Sequence, residues 1–215
     1  MQHHLPASGR YLYRCEDQPT PISETWRTRR LPDGSCAIAS TREVDGQAAL
    51  RVFAHQSGGM VAAARCAVLC ATTGEWVYAQ YRRDDGVWSW RRRNHSWTRI
   101  AAQDNAVFFP LMRCFTGHFV EDVASVDGSA VVVVPWLHNI DDADLLMTPD
   151  ISDREARKLT DSGRFSLQGG PYTMPAEVEL RPDGLLSTYR WTHPNGQNWS
   201  CHLDIEHTET THETL

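Results

Sequence analysis

Five times along this chain an Asp-Gly or Asn-Gly pair sits between segments that alternate apolar and polar residues: Pro32-Asp33-Gly34, Val44-Asp45-Gly46, Asp84-Asp85-Gly86, Pro182-Asp183-Gly184 and Pro194-Asn195-Gly196. Val126-Asp127-Gly128 is a sixth, less well flanked case. Asp, Asn and Gly tolerate the positive φ that a tight hairpin turn demands, so these pairs are points where one strand ends and its antiparallel neighbour begins. Strands spaced about ten residues apart around such turns form a meander, the route by which a sheet curls into an up-and-down barrel. The expectation is a mainly β chain.

At 215 residues the chain suits one barrel better than two domains. Eight Trp, six Tyr and six Phe provide the large apolar surfaces that such a core needs. We place a flexible start at residues 1–8, a single barrel over 9–206 and a polar tail over 207–215. If Asp85-Gly86 is a two-residue turn, Tyr81 faces Trp90 and Arg83 faces Trp88. The same arithmetic about Asn195-Gly196 sets Leu186, Thr188 and Arg190 beside Leu203 and Cys201, with Tyr189 opposite His202. About Asp45-Gly46 it gathers Ala37, Ala39, Thr41, Leu50, Val52 and Ala54 on one small-residue wall, as an interior would require.

Helix signals are few. Ser152-Asp153-Arg154-Glu155 reads as a capping box, in which Ser oxygen and Glu carboxylate satisfy each other's backbone N–H groups, and it predicts one short helix near 152–162 ended by Gly163. Met60 to Thr72, alanine-rich but bounded by glycines, reads as a strand.

Charge and cysteine narrow the partners. A net charge of −6 works against a general polyanion binder, so nucleic acid is not expected. The first residues lack a signal pattern, and no stretch is apolar enough to span a bilayer, so a cytoplasmic protein with no membrane contact is the expectation. Six cysteines are expected to stay reduced, and Cys66 with Cys70 lacks the Cys-x-x-Cys or His partners of a zinc site, so no metal is assigned. Nucleophile-elbow, phosphate-loop and dinucleotide fingerprints are absent from the sequence, which disfavours ordinary hydrolases, kinases and dehydrogenases and predicts no cofactor.

Two segments carry candidate chemistry. In Phe108 to Asp122, the ionisable Arg113, His118, Glu121 and Asp122 lie among large apolar residues, and burial would demand partners or shift their pKa values. In Val131 to His138, a period of two aligns Val132, Val134, Trp136 and His138. Trp88-Ser-Trp90-Arg91-Arg92-Arg93 through Trp97 mixes cations and rings as single-strand binders do. In a strand, however, Arg91 and Arg93 point away from Trp88 and Trp90, dividing the segment into a packed face and a wet one.

The architecture inferred is similar to that of lipocalin-like, or calycin, barrels. That resemblance implies binding of hydrophobic small molecules and, in some members, cyclisation or isomerisation. The Gly-x-Trp signature of many lipocalins does not occur between Gly9 and Trp26, so no functional residue carries over. Two readings follow. In one, the interior holds a hydrophobic or aromatic small molecule among Trp88, Trp90, Tyr81, Phe109, Phe115, Trp136 and Tyr189. There Arg113 grips an oxygen anion and His118 or His138 moves a proton in cofactor-independent isomerase, cyclase or lyase chemistry. In the other, the chain is a non-catalytic ligand- or protein-binding module. They part on whether the arginine and a histidine share one cavity.

Overall fold

The computed structural model describes residues 8–58, 60–100, 106–125, 127–137, 139–160, 163–170 and 172–204. The chain runs β1 (Ser8–Cys15), β2 (Gln18–Arg30), β3 (Cys36–Val44), β4 (Gln47–Ser57), β5 (Met60–Leu69), β6 (Trp76–Asp84), β7 (Val87–Arg92) and β8 (Thr98–Arg99). It continues through β9 (Val107–Phe108), a 3-10 turn (Arg113–Phe115), α1 (Thr116–Ser125), β10 (Ser129–Pro135), β11 (Pro149–Thr160), β12 (Arg164–Gly169), β13 (Tyr172–Leu180), β14 (Leu186–Thr192) and β15 (Asn198–Asp204). Two meander arms meet where β15 pairs with β1, giving the order β8-β7-β6-β5-β4-β3-β2-β1-β15-β14-β13-β12-β11-β10-β9. The pairs are antiparallel except β9 with β10.

The architecture is mainly β and barrel-like, but among the described residues the backbone ladder does not close: β8 and β9 stand at the two ends of the sheet. Side chains and loops bring the arms together instead. Phe108 of β9 packs on Tyr81 and Trp88 with ring centroids 4.7 and 5.0 Å apart. Trp88 donates its indole N–H to the Ala106 carbonyl at 2.9 Å, and the Tyr81 hydroxyl donates to Met147. Arg92 donates to the carbonyls of Ala143, Asp144 and Leu146.

The turns fall into two classes, and proline sorts them. At Asp45-Gly46 and Asp85-Gly86 both residues have positive φ, as a two-residue hairpin turn requires. Tyr81 pairs with Trp90 and Arg83 with Trp88, as the sequence predicts. Where Pro precedes the pair, its φ is locked negative, so it takes the first corner of a type I turn and only Gly34, Gly184 or Gly196 swings positive. These loops are one residue longer, closed by Leu31 N–H to Ser35 O, Arg181 to Leu185 and His193 to Gln197 at 2.8–2.9 Å. The extra residue corrects the register of β14 and β15: Tyr189 faces Cys201 and Trp191 faces Trp199, while Thr188 and Arg190 face His202 and Ser200.

A second correction lies between β3 and β4, where a bulge after Arg42 shifts the pairing by one. Ile38, Ser40 and Arg42 therefore turn inward with Leu50, Val52 and Ala54, and Ala37, Ala39 and Thr41 turn out. The segment from Met60 forms the expected strand.

The helix near 152–162 does not form. Its described residues, 152–160, belong to β11, hydrogen-bonded on one side to β10 and on the other to β12, with Arg154 and Ala156 buried and Asp153 and Glu155 exposed. The capping box is a local preference, and two full ladders override it. Among the described residues the α-helix is α1, where Phe119, Val120 and Val123 supply the buried stripe. It packs so closely on the β13–β14 turn that a Cβ on Gly117 would lie 1.9 Å from the Gly184 carbonyl oxygen.

Candidate functional site

Inside the sheet the dominant feature is a polar node. Glu24 of β2 is fully buried, and its carboxylate accepts from four donors. The Tyr13 hydroxyl donates at 3.0 Å, Arg42 Nη2 at 3.2 Å, and the backbone N–H groups of Arg113 and Cys114 at 2.5 and 3.4 Å. Those two amides open the 3-10 turn leading into α1, so a carboxylate some ninety positions earlier in the chain caps this helical segment. Arg42 also donates to Leu111 O at 2.6 Å. Although burial works against its charge, Tyr13 and Glu24 hold the Arg42 pKa above the usual arginine value.

Arg113 is 8% exposed. Its guanidinium lies 4.0 Å from the Tyr189 ring centroid, 5.0 Å from Trp191 and 5.9 Å from Tyr13. Cys114 and Cys201 share this interior. Burial pushes both thiols up, Cys201 to about 12, which leaves them protonated and unreactive.

His118 belongs to a different space. With Trp88, Phe108, Phe115, Phe119 and Asp122 it lines a cavity of about 20 Å³ that does not include Arg113. That volume suits a water molecule, not an aromatic ring. Burial, and then the Glu121 charge, raise the Asp122 carboxyl to about 6.

The other expected aromatics lie in the core or against it. Trp90 and Trp136 are half-buried against the core, Tyr81 and Trp88 close the arms through Phe108, and Phe109 stacks on Phe119 at 4.3 Å. Tyr189 supports Arg113. His138 lies outside the described residues.

Larger spaces occur on the outer surface. A groove of about 620 Å³ crosses β1, β15, β14 and β13, where Arg14 and Arg190 lie alongside Asp17 and Glu177, with His202 and Trp199 beside them. A second, of about 730 Å³, crosses β3 to β7. Its floor includes Ala39 and Ala67, and Phe53 and Tyr78, 50% and 44% exposed, stand over it. Arg51, Arg65, Arg91 and Arg93 line it, and its lining contains no Asp or Glu. The division of the Trp88–Trp97 segment holds: Trp88 is buried, and Arg91 and Arg93 face this groove. Arg51, Phe53, Arg65 and Tyr78 match no motif, so nothing in the sequence singles them out as a site. The available signal was that these large residues fall at odd or even steps opposite to their buried neighbours.

No known family profile matches the chain, and no curated protein matches it in sequence. Its shape is similar to the crystal structure of a β-barrel-like protein of a domain of unknown function, DUF1849, from Brucella abortus. The TM-score is 0.52 at 8% identity, over 95% of this chain and 98% of that one. At that identity the likeness is one of fold alone. Among the described residues, no helix is long and apolar enough to cross a membrane.

Proposed function

We propose that this protein is a non-catalytic binding module whose ligand carries a planar apolar group and sits on the outer face of β3–β7, not inside the barrel. The observation that carries this reading is the groove of about 730 Å³, with a floor of small residues and two half-exposed rings above it. Its volume is in the range of ordinary ligand sites, and exposed rings over an alanine floor give a flat molecule both a bed and walls. The catalytic alternative, with Arg113 and His118 acting on one bound molecule, is weakened by their separate surroundings. Arg113 is held among Tyr13, Tyr189 and Trp191, while His118 borders a space of about 20 Å³.

The test uses 8-anilinonaphthalene-1-sulfonate, a planar fluorophore far too large for the His118 cavity. The folded protein should give saturable fluorescence enhancement, and Ala39→Trp, which fills the groove floor from the exposed side, should abolish it without lowering the melting temperature. Enhancement that survives Ala39→Trp and disappears when Val61→Phe fills the inner cavity would place the ligand inside and overturn this reading.

A further inference from the structure

The groove is the centre of a larger surface. Strand pairing sets Arg27, Ala39, Phe53, Arg65, Gln80 and Arg91 in one row across β2 to β7. A flanking row runs Thr25, Thr41, Arg51, Ala67 and Tyr78. The opposite flank runs Arg29, Ala37, His55, Ala63, Arg82, Ser89 and Arg99. None of these positions is Asp or Glu. Asp84, at the hairpin end, reaches the band by pairing with Arg82 at 2.7 Å.

The six strands of the central row span about 24 Å at the usual strand spacing, too far for one small anion. Rings punctuate the cations. Arg51 lies over Trp76 at 4.7 Å, and Arg93 lies over Tyr78 at 5.8 Å. Arg82 and Arg91 lie against Trp97 at 4.1 and 4.6 Å. The chain's charge is unevenly placed to match. Residues 1–99 hold 14 Arg against 9 Asp and Glu, whereas residues 100–215 hold 7 Arg and Lys against 18 Asp and Glu. The whole-chain charge of −6 thus averages two unlike halves.

We propose that this face binds single-stranded nucleic acid, an inference that rests on the binding reading above and names its ligand. Guanidinium groups would follow the phosphates, and unpaired bases would stack on Phe53 and Tyr78, whose half-exposed rings offer a face to any base. A duplex hides its bases, and a polyanion without bases leaves the rings unused.

The experiment follows the anisotropy of a fluorescein-labelled oligodeoxythymidine of about 15 nucleotides, a length chosen to exceed one sheet-face site. Binding is expected at about 50 mM salt, weakening toward about 200 mM with a log–log slope near −3 for the four groove arginines. Tyr78→Ala and Phe53→Ala should each weaken it about fivefold or more. Arg65→Glu, or Arg65→Gln if the reversal does not fold, should weaken it at low salt and flatten the slope. Heparin should compete poorly, and its own binding should ignore the ring substitutions. Absence of oligonucleotide binding, ring substitutions without effect, or equal binding of duplex and heparin would each overturn the inference. If the naphthalene probe binds but the oligonucleotide does not, the ligand assignment alone fails; if neither binds, the binding reading fails with it.

Discussion

The two outer grooves are built alike and charged differently. Each is a hollow in the outer face of antiparallel strands, about 620 and 730 Å³. On the C-terminal arm the groove lining balances Arg14 and Arg190 with Asp17 and Glu177, and Glu177 lies 4.0 Å from Arg190. On the N-terminal arm the groove lining has arginines and no carboxylate. Concavity therefore comes with the twisted sheet, and composition decides which hollow is left with an unbalanced charge to offer a partner. Both rest on the same interior, where Glu24 joins β1, β2, β3 and the turn before α1.

The largest expected effect breaks that shared support. Glu24→Ala leaves Arg42 without its carboxylate and uncaps the turn before α1, and should cost about 3–5 kcal/mol. Chemical denaturation followed by tryptophan fluorescence measures it, and both grooves should be lost in one transition. A loss below about 1 kcal/mol would mean that the node does not hold the arms together.

Next in size is Arg113→Ala. The guanidinium lies against three rings, so truncation removes both cation–π contact and packing and should cost about 2 kcal/mol or more. An unchanged melting temperature would show that the Arg113 side chain does not support the fold and would reopen the interior reading. This residue was legible in the sequence as an arginine among apolar neighbours, but Glu24, which accepts from its backbone N–H, was not. Nothing within β2 distinguishes Glu24 from a surface glutamate except its place opposite Arg42, and that pairing depends on the β2–β3 register.

The grooves themselves are separated by paired charge reversals. Arg65→Glu should weaken binding of the anionic naphthalene probe by about tenfold, since one cation becomes one anion beside it. Arg190→Glu should change it by less than about twofold, because that reversal lies in the other groove. Equal responses would mean that the two grooves do not differ as ligand sites.

The smallest effect is protonic. Burial, and then the charges of Arg190 and Arg14, lower the His202 pKa below the ordinary 6.5. Unfolding lets this histidine take up a proton over the window between its lowered value and 6.5, so it makes the fold gain stability as pH rises through that window. Arg190→Gln removes one of these cations, and an NMR titration should show the His202 midpoint moving up toward 6.5. A midpoint that stays put would assign the shift to burial and Arg14 alone. The β3–β7 groove has no histidine in its lining, so probe affinity there should stay level across this range.

By itself the sequence determined where the chain reverses, because the φ demanded by a tight turn is a property of Asp, Asn and Gly at that point and needs no distant partner. It also determined the meander that those reversals string together, and the split of Trp88 from Arg91, which follows from a period of two. Proline's lock on φ was equally local, and it explains the longer loops at Gly34, Gly184 and Gly196. Only the tertiary structure decided the rest. Ser152–Glu155 became strand because two ladders outweigh one capping box, and the turn before α1 found its cap on Glu24 of β2. Among the described residues the arms met through Phe108 and the carbonyls of Ala143, Asp144 and Leu146 without a closing ladder. The arginine face arose because pairing set residues from six strands side by side. Each of these is a contact between segments far apart in the chain, and its energy appears only when folding has already brought them together.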